Sequence, residues 1–148
     1  MTRRGLLATP LAVWERDGLK AALVKAGLPA DDVGDARLLF WRFETTDIPV
    51  GFGGLEIHGS DALLRSLVTL PPLRQIGMGA AMVAMLETEA RALNCHAIYL
   101  LTASDAKFFG RLGYGPCARS DVPEAIRGSR QFAELCAPTV AAMVKRIG

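Results

Sequence analysis

The sequence predicts an α/β fold on a mixed sheet, and three observations lead there. Short β-prone stretches in the first half are joined by turns too short for a crossover, which makes them antiparallel. A glycine-bearing loop and one strong helix then lead to an apolar strand, the pattern of a β-α-β crossover. The 148 residues, 51% apolar and 22% charged, fit one domain spanning 1–148, with too few charges for disorder.

In chain order, Thr9-Pro10 reads as a helix start, with Thr9 as N-cap and Pro10 at the first helical position. Leu11, Trp14, Leu19, Leu23 and Val24 continue a helical stripe until Gly27-Leu28-Pro29 stops it. Residues 37–44 form a β-prone stretch that turns at Thr45-Thr46-Asp47, and residues 49–57, with Gly51, Gly53 and Gly54, return. Gly59-Ser60-Asp61 turns the chain into a third strand at 63–70, which Pro71-Pro72 breaks. From 79 to 93, Met82, Met85, Leu86 and Leu93 recur at spacings of three, four and seven, with Glu87, Glu89 and Arg91 as polar counterparts. Asn94 suits a left-handed residue after that helix. Residues 97–102 are an apolar run of the buried, parallel kind. Ser104 is placed to cap a short helix through Leu112 that Gly113 closes, and 114–118 and 140–147 read as further strands. The methionines read as core filling, and Trp14 and Trp41 as core or edge anchors.

Several function classes are excluded. A net charge of +2, with no basic run beyond Arg3-Arg4 or Lys145-Arg146, argues against a nucleic-acid partner. The longest apolar run, residues 80–86, falls short of the roughly 20 residues that cross a membrane. No apolar segment or cleavage site follows Arg3-Arg4, so a cytoplasmic protein is expected. Cys95, Cys117 and Cys136 are odd in number and lack a CxxC, so no disulfide framework follows. With His58 and His96 they show no zinc-ligand spacing, and no soft thiolate site for arsenic is indicated, so no metal is expected.

Chemistry concentrates in Leu67-Val68-Thr69-Leu70-Pro71-Pro72-Leu73-Arg74-Gln75-Ile76-Gly77-Met78-Gly79, where a strand enters a loop with two glycines and a helix begins at the second. Unpaired backbone N–H groups and the helix dipole there favour an anion, most simply a diphosphate. The glycines let its oxygens approach the backbone. A dinucleotide fingerprint would need a third glycine where Met82 stands, and a Walker loop needs a lysine, absent between Lys25 and Lys107. An ordinary glycine-rich turn fits the same residues. So does a third loop class: Arg74-Gln75-Ile76-Gly77-Met78-Gly79 resembles the acyl-coenzyme A loop, Arg/Gln-x-x-Gly-x-Gly/Ala, of the GNAT N-acetyltransferases. Leu64-x-x-Leu67-x-Thr69-x-Pro71 resembles the fourth strand of that family. Ala106-x-Phe108-Phe109-x-Arg111-Leu112-Gly113-Tyr114 resembles its short helix ending in glycine, so the likeness covers at least residues 63–117.

A narrower resemblance rests on Leu100-Leu101-Thr102, Phe108-Phe109, Asp121-Val122-Pro123-Glu124-Ala125-Ile126-Arg127, Gln131-Phe132 and Leu135-Cys136-Ala137-Pro138. These look like the N-acetyltransferases encoded with arsenic-resistance genes. The Leu-Thr and Phe-Phe portion is also similar to the acetyltransferase domain of N-acetylglutamate synthase. Both imply a small amino-acid-like amine as acceptor.

The family resemblance implies a central mixed sheet with helices on both faces, whose parallel fourth and fifth strands, here 63–70 and 97–102, splay apart. Acetyl-CoA is the implied cosubstrate. Its pantetheine arm would lie along Leu67, Val68 and Thr69 and its diphosphate on Arg74, Gln75, Ile76, Gly77, Met78, Gly79 and Ala80, with Ser104 and Phe108 nearby. A strand N–H can stabilise the thioester oxyanion, an effect of about 3–4 kcal/mol elsewhere. The acceptor amine must lose a proton, and Glu56 and Glu44 are the candidate bases. Arg65 and Arg127 could grip an acceptor carboxylate, and Ser66 and Thr102 could supply hydroxyls. Phe109 stands where many members carry a tyrosine that protonates the departing thiolate. A thiol that ionises near about pH 8.5 leaves tolerably without that help, so a slower or differently assisted reaction is expected. The readings carried forward are N-acetylation of a small amine, a silent acyl-CoA-binding module, and acetylation of protein N-termini. The resemblance also implies a homodimer.

Overall fold

Seven strands form one sheet in the order β1-β2-β3-β4-β5-β7-β6 in the computed structural model, which describes residues 5–46, 48–70, 78–129, 132 and 140–148. β1 (Leu7–Pro10), β2 (Leu39–Thr45), β3 (Ile48–His58) and β4 (Asp61–Thr69) pair antiparallel. α2 (Met78–Ala92) crosses to β5 (Ala97–Thr102), which lies parallel to β4. β7 (Ala141–Arg146) runs antiparallel to β5, and β6 (Gly115–Cys117) antiparallel to β7. α1 (Asp17–Lys25), α3 (Ala106–Arg111) and α4 (Glu124–Arg127) complete the fold. None of the described helices is long and apolar enough to cross a membrane.

Neighbouring residues on one strand face opposite ways, and each face has its own helices. Leu64, Ile98 and Leu100 meet Met82, Val83, Leu86 and Ala90 of α2 and Phe109 of α3 in the largest core cluster. Leu63 and Tyr99 meet Ile126 of α4 on the other face, where Phe40, Phe52 and Val68 also receive Leu19 and Leu23 of α1. This is the mixed, doubly covered sheet that the sequence predicts.

The differences are local. Thr9 and Pro10 lie in β1, paired with Arg42 and Trp41, and not at a helix start. The proline is tolerated because β1 is an edge strand, where a missing N–H costs no ladder bond. The helix begins at Asp17, after a 3₁₀ turn at Val13–Glu15 that leaves Trp14 85% exposed, so Trp14 anchors nothing in the core, whereas Trp41 is buried. β1 also explains why the third strand read from the sequence corresponds to the fourth of the family. Ser104 caps no helix: α3 is preceded by Asp105, whose N–H donates to Thr102 Oγ1 at 2.9 Å. Strand ends move by a residue or two. Asn94 and Gly113 do take the expected left-handed conformation, with φ of 66° and 99°. Asp47, the loop 71–77 and Cys136 lie outside the described residues.

Candidate active site

The centre of the sheet is opened by two departures from regular pairing. Phe52 opposes Val68 but Gly54 opposes Arg65, so Gly53 faces both Ser66 and Leu67. That extra residue makes a β-bulge, and Ser66 absorbs it in the left-handed region with φ 57°. On its other edge β4 pairs with β5 only at Asp61↔Ala97, Ala62↔Ile98 and Leu63↔Tyr99. Beyond Tyr99, β5 stays with β7 as far as Thr102↔Ala141, and the two parallel strands part. A cleft of about 940 Å³ fills the gap, with Arg65, Ser66, Leu67, Val68 and Thr69 on one wall and Thr102 on the other.

Glycines keep β3 close to its neighbours around this bulge. A Cβ on Gly51 would collide with the carbonyl oxygen of Val68, and one on Gly53 would lie 2.8 Å from Leu86 Cδ1.

The first turn of α2 reaches the same cleft through Gly79 and Ala80, and Ser104 and Phe108 line it from the far side. A Cβ on Gly79 would stand 3.2 Å from Phe108 Cζ, tighter than ordinary contact, so this glycine makes room for an aromatic ring at the helix start. N–H groups in the first turn of a helix have no intrahelical partner and favour negative charge. Lys25 and Arg111 add positive groups to the wall and Asp105 a negative one. Sequence reading passed over these three, since no spacing ties Lys25 at the end of α1 to residues of α3. Met78 opens α2 half-buried against the main core and is not on the cleft wall, and Arg74, Gln75, Ile76 and Gly77 lie outside the described residues.

On the α1 and α4 face of the sheet a polar row runs away from the cleft. Arg65 has a side chain only 1% exposed, and its Nη2 and Nη1 donate to Asp32 at 2.5 and 2.7 Å. Its Nη1 also lies 3.4 Å from Glu56 Oε1, and its Nε donates to Ser66 Oγ at 3.2 Å. Glu56 Oε2 is 2.6 Å from His58 Nε2. Glu56 and His58 line a second cavity of about 630 Å³, bounded also by Asp32, Arg37 and Ser129. Arg65 is thus neither a solvated surface charge nor a free fork for a substrate carboxylate. Arg127 donates through Nε to the Val122 carbonyl at 3.0 Å and lines neither cavity. Glu44 likewise lines neither: it pairs with Arg42 at 3.3 Å, opposite Leu7 of the edge strand. Of the two candidate bases, only Glu56 adjoins a residue of the cleft.

The segment between α1 and β2, which carries Asp32, is stapled by a second buried arginine. Arg16 donates to the carbonyls of Val33, Asp35 and Leu38 at 2.8–2.9 Å and sits 4.9 Å over the Phe40 ring. Burial holds its guanidinium below the usual arginine range. Hydrogen bonds from Arg37 bring Asp35 down to about 2.

Phe109 is buried on the cleft wall, edge-on to Phe108 at 4.9 Å and to Tyr114 at 5.8 Å. Tyr114 is no substitute acid. Its hydroxyl donates to Glu87 Oε2 at 2.9 Å, Glu87 also accepts from Lys145, and burial pushes the phenol far above its ordinary range. Among the described residues no group of three or more His, Cys, Asp or Glu could hold a metal ion, and Cys95 and Cys117 are free thiols.

Residues 8–114 match the model of the Acetyltransferase (GNAT) family. No curated protein matches the chain in sequence. In fold it is similar to N-acetylglutamate synthase from Neisseria gonorrhoeae complexed with coenzyme A and L-arginine, at TM-score 0.77 and 14% identity over 96% of this chain. It spans 33% of that longer protein. An acetyltransferase of the GNAT family from Staphylococcus aureus Mu50 gives TM-score 0.75 at 14% identity, covering 97% of this chain and 99% of the other. An aminoglycoside 6'-acetyltransferase type Ii gives 0.68 at 20%, covering 96% and 97%.

Proposed function

The chain belongs to the acetyltransferase (GNAT) family, and on that premise we propose that it transfers an acetyl group from acetyl-CoA to the primary amine of a small, amino-acid-like molecule. The observation that carries this reading is the parting of β4 from β5 beyond Leu63↔Tyr99, which opens a cleft onto the first turn of α2.

The residues present suit the cosubstrate. An extended, amide-bearing arm fits a strand whose residues 64–69 have lost their β5 neighbour, where backbone N–H and C=O groups are the natural partners. The α2 start, with Gly79 and Ala80, suits the diphosphate, and Lys25 and Arg111 carry the countercharge. Once bound, acetyl-CoA supplies the activated acyl carbonyl. The chain's own part is to orient it, to offer a β4 N–H to the carbonyl oxygen as that oxygen gains charge, and to relieve the acceptor ammonium of its proton. Glu56 is the proposed base; it lines the smaller cavity and not the cleft, so it takes the proton through water. Ser66 and Thr102, on facing walls, can donate to or accept from the acceptor.

The amino-acid-like acceptor rests on the resemblance to N-acetylglutamate synthase and to the arsenic-associated enzymes, and the solved aminoglycoside acetyltransferase keeps polycationic amines in view. Since Arg65 is bound to Asp32 and Arg127 to a backbone carbonyl, a carboxylate on the acceptor would feel Arg65 as nearby charge and not as a fork of two hydrogen bonds. Phe109 supports a second reading, an acyl-CoA-binding module without turnover, because it cannot protonate a thiolate.

Release of free thiol from acetyl-CoA by purified protein, across amino acids, amino-acid-like toxicants, polyamines and aminoglycosides, tests both. Steady release with one class establishes the transferase and its acceptor. Acetyl-CoA binding with no release from any of them, nor with peptide N-termini as acceptors, establishes the module. Sedimentation of the same sample tests the homodimer that the family implies.

A further inference from the structure

Glu56 and His58 stand two apart on β3, so they share a face of the strand. Neither is turned to solvent: their side chains are 13% and 23% exposed. Glu56 has two partners of unequal quality. Arg65 spends its short bonds on Asp32, at 2.5 and 2.7 Å, and reaches Glu56 Oε1 only at 3.4 Å, too long to fix a carboxylate. His58 Nε2 lies only 2.6 Å from Oε2, a far closer contact than Arg65 makes. Glu56 and His58 both open on the smaller cavity, and the row reaches the cleft wall through Arg65 and Ser66. Partly buried charge of this kind is costly and contributes little to stability by itself.

On the acetyl-transfer reading, we propose that His58 is a positioning residue: its imidazole N–H holds the Glu56 carboxylate in the orientation that receives the acceptor's proton. The balance is simple. The ammonium gives one proton through water to Glu56, its freed lone pair forms the N–C bond as the C–S bond breaks, and the remaining excess proton on nitrogen goes to the departing thiolate. Glu56 then returns its proton to water. The products are amide, thiol and one proton. His58 is neither acid nor base in this sequence. It fixes one oxygen of the carboxylate, so that the other faces the row toward the cleft.

The test is steady-state thiol release with the best acceptor among L-glutamate, L-lysine and spermidine. His58→Leu lowers kcat about tenfold with the amine KM changed less than about twofold, the split expected for an interaction that acts on the chemical step. His58→Gln keeps an N–H long enough to reach Oε2 and stays within about threefold of native. In a Glu56→Gln background, His58→Leu costs less than about twofold more, because its partner is already gone. Native kcat in His58→Leu, equal losses in the Leu and Gln variants, or costs that multiply in the double variant would each overturn the proposal. If the Leu variant does not fold, His58→Asn replaces it, being one methylene too short for Oε2; an Asn variant as active as the Gln one overturns the proposal as well. A native chain silent with these three amines and with every other acceptor of the screen above overturns the transfer reading and this role together, whereas a native chain that turns over while the variants match it overturns only the role.

Discussion

At the scale of single residues, the cleft is shaped by side chains that break a local rule. Ser66 holds φ 57°, where a Cβ costs about 1–2 kcal/mol, and offsets part of that by accepting Arg65 Nε at 3.2 Å. Ser66→Gly should therefore melt at or above the native temperature, while Ser66→Val, branched at Cβ and without the acceptor, should melt several degrees below it; a Val variant as stable as the Gly one would show that the bulge is unstrained. Phe109 breaks a rule of chemistry. A hydroxyl added to its ring can be solvated in the cleft that Phe109 lines. Phe109→Tyr should raise kcat about tenfold or more if leaving-group protonation limits the native reaction. Thiol-release rates measured side by side decide it, and an unchanged kcat shows that the thiolate leaves unaided. Some of this was legible in advance. That Gly79 needs to lack a side chain follows from the motif, but the Phe108 ring that would meet its Cβ does not.

At the scale of elements, strands 2 to 5 and α2 could be read from periodicity because alternation and helical spacing are properties of a few adjacent residues. β1 could not. Thr9-Pro10 carries a strong local helix-start signal, and what overrides it is pairing with Arg42 and Trp41, far along the chain. The Asp32–Arg65 pair was hidden for the same reason, since 33 residues separate its members and nothing near either one marks the other. Its consequence is mechanical as well as electrostatic. Asp32 lies in the segment between α1 and β2, Arg16 fixes three carbonyls of that segment, and Arg65 belongs to the strand that lines the cleft. Asp32→Ala would leave a guanidinium with a 1% exposed side chain held by one hydrogen bond to Ser66, a 3.4 Å contact to Glu56 and the Phe40 ring at 5.7 Å. Losing one partner of a buried pair costs about 3–5 kcal/mol, which for a domain of this size is a fall in Tm of roughly 6–20 °C. Calorimetry measures it, and a fall of only a degree or two would show that water can reach Arg65 from the cleft.

At the scale of the whole molecule, two quantities report on the fold as a unit. The first is alkaline stability. Both tyrosines of the chain are held above their ordinary range, Tyr99 and Tyr114 each by burial first. A group whose proton is held more tightly when folded contributes stability that is complete below its unfolded value, near pH 10, and lost as pH rises toward the folded one. Each can remove up to about 1.4 kcal/mol per pH unit above that point. The Tyr114 tyrosinate should therefore appear together with loss of circular dichroism, and ionisation of both phenols in a still-folded protein would contradict the buried placement of Tyr114.

The second is the response to ligand. The sheet's halves, β1–β4 and β5–β7, share only three residue pairs, at Asp61, Ala62 and Leu63, before they part, and the cleft lies across that seam. A molecule seated in it touches β4, the start of α2 and the far wall at Thr102 and Phe108, so it binds the folded chain and has no site on the unfolded one. At 100 times its dissociation constant such a ligand adds about 2.7 kcal/mol, or roughly 5–11 °C in Tm for a chain of this length. Acetyl-CoA should produce that shift without any amine present. Gly79→Asp should abolish it, because the new carboxylate stands at the helix start and its Cβ meets Phe108 at 3.2 Å. The variant's own melting temperature without ligand separates lost binding from lost fold. A folded Gly79→Asp protein that still gains the full shift would mean that the diphosphate does not sit at the start of α2, and the cleft between β4 and β5 would need another occupant.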